Sequence, residues 1–153
     1  MSLIEALTEA RRRGDPAGVI SAIPYARFLG IDLEMRDGSP IAVMGYGDNL
    51  LGNPVLPALH GGPVGALMEI AGLIGLVWRT RCTVFPKTID IAIDYLRAGR
   101  PEDTRAEASI TRQGRRIANV RVEAWQRTRA KPIAAAHIHF MLDQAENLSG
   151  AMT

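Results

Sequence analysis

The 153 residues, 47% apolar and 22% charged, make room for one globular domain and exclude a disordered, collagen-like or low-complexity chain. Eighteen bases, sixteen of them Arg, against sixteen acids leave a net charge of only +2, too slight and too dispersed to point to a nucleic-acid partner. One cysteine, Cys82, excludes an internal disulfide framework and any multi-cysteine zinc site.

The N-terminal stretch MSLIEALTEARRRG has no long apolar run and places acids before its basic cluster, so a secretory signal is not expected and cytoplasmic residence is the default. Apolar Leu3, Ile4 and Leu7 with charges between them predict an amphipathic helix over 2–13, ended by Gly14, Asp15 and Pro16. A second short helix over 17–22 would stop at Pro24. These elements form an N-terminal helical segment, residues 1–23, ahead of a main domain over 24–142. Leu29, Ile31, Leu33 and Met35 alternate with polar neighbours, which predicts a half-buried strand over 28–36. Asp37-Gly38 is a hairpin signal. IAVMGYG, 41–47, returns as a second strand, and residues 48–58, with two prolines, read as a loop.

Residues 61–78 are almost all apolar, at the lower edge of membrane-spanning length. Glu69 lies in their middle, where a bilayer would penalise it. A helix over 60–79 buried within protein is the expectation. Four alternating stretches follow, around 89–95, 105–110, 119–124 and 134–142, joined by short connections that imply antiparallel pairing. From Asp143 on, the chain reads as a polar, flexible tail. The order of elements predicts an α+β fold: a curved antiparallel sheet of about six strands wrapped around one long central helix.

His60-Gly61-Gly62-Pro63 opens that helix. Proline is tolerated in a first helical turn, so Pro63 marks the N-terminus and the two glycines lie at its cap. Unpaired N–H groups and the helix dipole favour negative charge there, and glycine lets a ligand come close. The pair could hold an anion or a developing oxyanion, or act as a hinge that lets the helix pack tightly. Glu69 is the only charged residue between His60 and Arg79. Such a carboxylate must be paired, raised in pKa or exposed at a site; a reactive acid and a structural hydrogen bond both satisfy this. Gly61 and Glu69 are eight residues apart, about 12 Å along one helix. One small electrophile can touch both only if they come from two antiparallel helices, which a twofold dimer supplies.

His60-Gly61-Gly62, the acid nine residues after the His, and an Asn in the preceding loop resemble the PaaI-like acyl-CoA thioesterases of the hotdog superfamily. The resemblance spans residues 24–142 and includes Pro24-Tyr25, Asp94-Tyr95-Leu96-Arg97 and Gln113-Gly114-Arg115-Arg116. It implies a homodimer or a dimer of dimers that hydrolyses an acyl-CoA thioester, with no cofactor apart from the coenzyme A of the substrate. The implied catalytic set is Glu69, Gly61, His60 and Asn53. The Gly61 N–H polarises the thioester carbonyl, and Glu69 of the other subunit is nucleophile or general base. Asn53 holds water or the carbonyl, and His60 shapes the loop. Two positions depart from the family pattern. Asn53 lies seven residues before His60 where six is common, with Pro54 in the usual place, and the acid is Glu in place of the more frequent Asp.

Nine arginines lie between 97 and 129 against four acids. Arg97, Arg115 and Arg116, with Gly62, are the substrate-binding expectations, since guanidinium forks suit phosphates; most of the other arginines read as solvated strand faces. Leu67, Leu73, Leu76 and Val77 are expected to line the acyl end. His137 and His139 share one strand face but lack a third ligand, so no metal site is expected. A non-catalytic acyl-CoA binder on the same scaffold is the alternative. A nucleic-acid module ranks last, because the chain is only 5% aromatic.

Overall fold

The computed structural model describes residues 2–16, 18–80, 82 and 84–142. The tail expected over 143–153 lies outside them.

Helix α1, Leu3–Arg13, begins with a capping box: Ser2 Oγ accepts from the Glu5 N–H while Glu5 accepts from the Ser2 N–H. It ends on Gly14 at φ 66°. Its Arg11 side chain donates to the Val77 and Thr80 carbonyls. A short 3-10 turn, Ile20–Ala22, stands in place of the expected second helix. Pro24 does not simply end that turn; it is the first residue of α2, Pro24–Phe28. Proline's fixed φ suits that position as well as it suits a helix stop. The first strand therefore starts later than expected, as β1, Ile31–Arg36, after Gly30 at φ 67°.

Asp37 and Gly38 both take positive φ, the two-residue turn that joins β1 to β2, Ser39–Met44, with Arg36 opposite Ser39. The expected loop over 48–58 contributes to a small second sheet of β3, Leu51–Asn53, and β4, Ala58–Leu59. The long helix is α3, Gly61–Arg79. The last four strands are β5, Lys87–Tyr95; β6, Thr104–Gln113; β7, Ile117–Trp125; and β8, Ala134–Met141. The main sheet runs β1-β2-β6-β7-β8-β5, antiparallel throughout, with β5 as an edge strand among the described residues.

Helix α3 lies across one face of this sheet, with eleven residues buried. It is long and apolar enough to cross a bilayer, but more than half of it is buried inside the fold. Many inward strand positions are small or branched, such as Ala106 and Ala108 on β6, Val120 and Val122 on β7, and Ala136 and Ile138 on β8. Helix and sheet approach so closely at Gly75 that a Cβ there would sit 2.7 Å from Ala108 Cβ.

Candidate active site

The tip of α3 is built by His60. Its backbone N–H donates to the Leu50 carbonyl at 2.8 Å, and its ring Nδ1 accepts from the Gly62 N–H at 2.9 Å. The ring proton is therefore on Nε2. Gly52 of β3 makes this seat possible, since a Cβ there would lie 2.9 Å from His60 Cα. Of the first-turn donors, Gly62 is thus satisfied by His60 and Pro63 has none. That leaves the Gly61 N–H without a partner among the described residues, at the positive end of the helix dipole. Gly62 has no N–H left to offer, so its contribution to a ligand is clearance.

Asn53 ends β3, opposite Ala58 and so two residues from His60 across the small sheet. Its Oδ1 accepts from the Val55 and Leu56 N–H groups at 3.0 and 3.2 Å, which folds the hairpin tip. The carboxamide Nδ2 is what it can turn toward a ligand.

Glu69 lies two turns farther along α3. It is half-buried, and its Oε1 accepts from Thr88 Oγ1 at 2.8 Å. Gly62, Ala66, Glu69 and Leu73 form a stripe on α3 that the sheet leaves partly open. Beside it runs β5, whose outer edge pairs with no other strand among the described residues and whose Ile89 is 46% exposed. Within one chain, Gly61 and Glu69 remain about 12 Å apart along the helix.

A cavity of about 400 Å³ opens at Gly61. Leu59, Val64, Leu96 and Ile133 give it apolar walls, and Arg97 is its cationic group. Backbone bonds from Leu59 to Gly99 and from Leu96 and Arg97 to Ile133 stitch these walls together. Arg97 Nη1 donates to the Pro132 carbonyl at 2.6 Å. Tyr95 also lines the cavity, and its hydroxyl donates to the Gly61 carbonyl at 2.8 Å.

Arg97 is therefore brought to Gly61, whereas Arg115 and Arg116 are not. They cap the β6–β7 hairpin, where Ile117 pairs with Met141 and Met141 with Lys87, at the Thr88 end of β5. From Thr88 to Tyr95 the strand spans about 23 Å. The expected sites split into a Gly61–Arg97 end and a Glu69–Arg115–Arg116 end. Of the other arginines, Arg105, Arg121, Arg127 and Arg129 pair with Glu34, Glu123, Glu102 and Glu107. The Arg127 pairing holds the Glu102 carboxyl below its ordinary value.

The acyl-lining expectation is corrected in part. Leu67, Leu76 and Val77 are buried in the hydrophobic core and do not line the cavity at Gly61; Leu73 is half-buried on the open stripe. His139 Nδ1 pairs with Asp90 Oδ1 at 2.6 Å on the outer sheet face. No group of three or more His, Cys, Asp and Glu side chains that could hold a metal occurs among the described residues. Thr88, Tyr95 and Gly52 join the site without having stood out in the sequence as site residues. Each acts through a partner 8–34 residues away, and only Tyr95 lies in one of the motifs that carry the family resemblance.

Comparison with known proteins places this geometry in a family. The thioesterase superfamily profile matches residues 56–133. The medium/long-chain acyl-CoA thioesterase YigI of Escherichia coli K12 is 32% identical over 116 residues, 66% of this chain and 74% of that protein. A crystal structure from Chromobacterium violaceum superposes with a TM-score of 0.75 at 34% identity, covering 92% of this chain and 98% of that one. The PaaI protein of Escherichia coli, from its phenylacetic acid degradation operon, shares the fold at a TM-score of 0.72 and 20% identity, over 94% and 97% of the two chains. The chain belongs to the thioesterase superfamily, as a hotdog-fold thioester hydrolase.

Proposed function

We propose that the protein hydrolyses an acyl-CoA thioester to a carboxylic acid and free coenzyme A, at a site completed by a second copy of the chain. The observation that carries this is the separation of its two reactive features. Among the described residues, Gly61 has the unpartnered N–H of the helix tip, and the one acid of the helix lies about 12 Å farther on, on a partly open stripe beside the edge strand β5. A twofold axis beside β5 sets two copies of α3 antiparallel, so that Gly61 of one copy faces Glu69 of the other. The half-open band of Ala66, Glu69, Leu73 and Ile89 is then covered.

In this arrangement the Gly61 N–H receives the thioester carbonyl oxygen as it gains negative charge. Asn53 Nδ2 is a second donor near the same oxygen. Glu69 of the second copy either takes a proton from water as it attacks the carbonyl carbon, or attacks that carbon itself, with water then hydrolysing the anhydride. In both routes the C–S bond breaks, and the thiolate leaves and is protonated. A thiolate is a good enough leaving group that no serine or cysteine nucleophile is needed. Arg97 from one copy and Arg115 or Arg116 from the other are placed for the phosphates of coenzyme A, which the single chain keeps apart. The likeness to YigI supports this substrate class. The reading needs no cofactor and places the enzyme in the cytoplasm.

Thiol release from a panel of acyl-CoA esters, from acetyl to long-chain and aryl, tests it. Activity that falls at least about a hundredfold in Glu69→Ala, the scale of a lost general base, supports the reading. Equal rates in the parent and the variant would remove Glu69 from the reaction, and tight acyl-CoA binding without turnover would assign the scaffold to binding.

A further inference from the structure

One peptide plane in the first turn of α3 is held at both ends. The Gly61–Gly62 peptide presents its carbonyl to the Tyr95 hydroxyl at 2.8 Å and its N–H to His60 Nδ1 at 2.9 Å. Glycine pairs have the widest backbone freedom available, and this one sits at a helix end, where ordering is weakest. The plane adjoins the Gly61 N–H through a single Cα, so holding it restricts the direction in which that N–H points.

Tyr95 is fitted to this position. A Cβ on Gly61 would lie 3.0 Å from the Tyr95 Cζ and hydroxyl oxygen, and one on Gly65 would lie 3.6 Å from the same hydroxyl and 3.0 Å from Ile93 Cδ1. Gly61 and Gly65 are one turn apart on the same helix face and together form a notch without side chains. The end of the Tyr95 side chain lies in that notch, although the residue as a whole is 56% exposed. Ordinary core packing would bury the ring and leave the hydroxyl to water. Here the hydroxyl is docked on backbone.

We infer that Tyr95 is a positioning residue for the Gly61 N–H: it and His60 clamp the Gly61–Gly62 peptide, so that the carbonyl-binding donor is already aimed when substrate arrives. Its kinetic consequence rests on the acyl-CoA reading above; the clamp itself does not.

The test is Tyr95→Phe, which keeps the ring and removes the hydroxyl. Losing a whole oxyanion donor costs about a hundredfold to a thousandfold, so misdirecting one is expected to lower kcat by about tenfold. KM should stay within about twofold, the pattern of an interaction realised in the transition state. Amide hydrogen exchange at Gly62, read by NMR, should quicken by about tenfold, because its bond to His60 Nδ1 loses its brace. Tyr95→Ala should in addition tolerate Gly61→Ala better than the parent does, since the ring that the new Cβ meets is gone. A raised KM with unchanged kcat would make Tyr95 a wall of the cavity only, and would overturn the inference. Unchanged kcat together with unchanged Gly62 exchange would also overturn it. If the parent proves inactive on every acyl-CoA, the functional reading fails and the exchange measurement alone decides: faster exchange upholds the clamp, and unchanged exchange refutes it.

Discussion

Thr88 Oγ1 donates to Glu69 Oε1 at 2.8 Å, tying the one acid of α3 to the first residues of the edge strand β5. This bond holds one of the two carboxylate oxygens and leaves the other available. Replacing Thr88 by Val keeps the β-branched shape and removes the donor. Thiol release should then slow by about tenfold, since the acid loses its fixed orientation while keeping its charge. Thermal stability should fall by less than about 1.5 kcal/mol, the net worth of one hydrogen bond. A rate equal to that of the parent would show that Glu69 needs no such hold.

Much of this arrangement is legible in the amino-acid sequence. The long apolar helix, the Asp37-Gly38 hairpin and the alternating strands all carry strong local signals, and the fold keeps them. The features that escape are those without a local signal. Strands β3 and β4 are three and two residues long, too short for any period to show. Pro24 is compatible with both a stop and a start. Alternation puts Ile89 in the inward row with Ile91 and Ile93, but an irregularity in the β5–β8 register between Thr88 and Asp90 breaks the period and leaves it 46% exposed. Tyr95 and Thr88 reach partners 34 and 19 residues away, which spacing along the chain does not reveal. The proposed pairing of Gly61 with Glu69 of another copy is legible only as arithmetic: two candidate features on one helix, too far apart to meet.

The seating of α3 on the sheet depends on Gly75. An Ala there gains helix propensity worth up to about 1 kcal/mol, but its Cβ would stand 2.7 Å from Ala108 Cβ. Overpacking costs about 1–3 kcal/mol and should win. Gly75→Ala is therefore expected to lower the unfolding free energy in chemical denaturation. Ala108→Gly, added to it, should restore part of the loss, because it removes the opposing methyl. A stabilised Gly75→Ala would contradict this packing.

Arg11 closes the other end of α3. Its guanidinium donates to the Val77 and Thr80 carbonyls, groups that a helix C-terminus leaves unpaired. Arg11→Met preserves much of the apolar stem and deletes the donors. A loss of about 2 kcal/mol is expected, in the range for hydrogen bonds to charged groups, and a melting temperature lower by about 4–8 °C. Thiol release per folded molecule should be unchanged at low temperature, since the bond lies at the opposite end of α3 from Gly61. Calorimetry and a rate assay on the same sample would check both parts.

Mixing two defective proteins tests the proposed shared site most directly. Gly61→Val removes the carbonyl donor's clearance, and Glu69→Ala removes the acid; each protein alone should be nearly inactive. Unfolded together in equal amounts and refolded, they should yield about half mixed dimers by random pairing, each with one intact site of two. That predicts about a quarter of the parent's thiol-release rate. A mixture that stays at the background of its two components would place Gly61 and Glu69 in sites of the same chain and contradict the account.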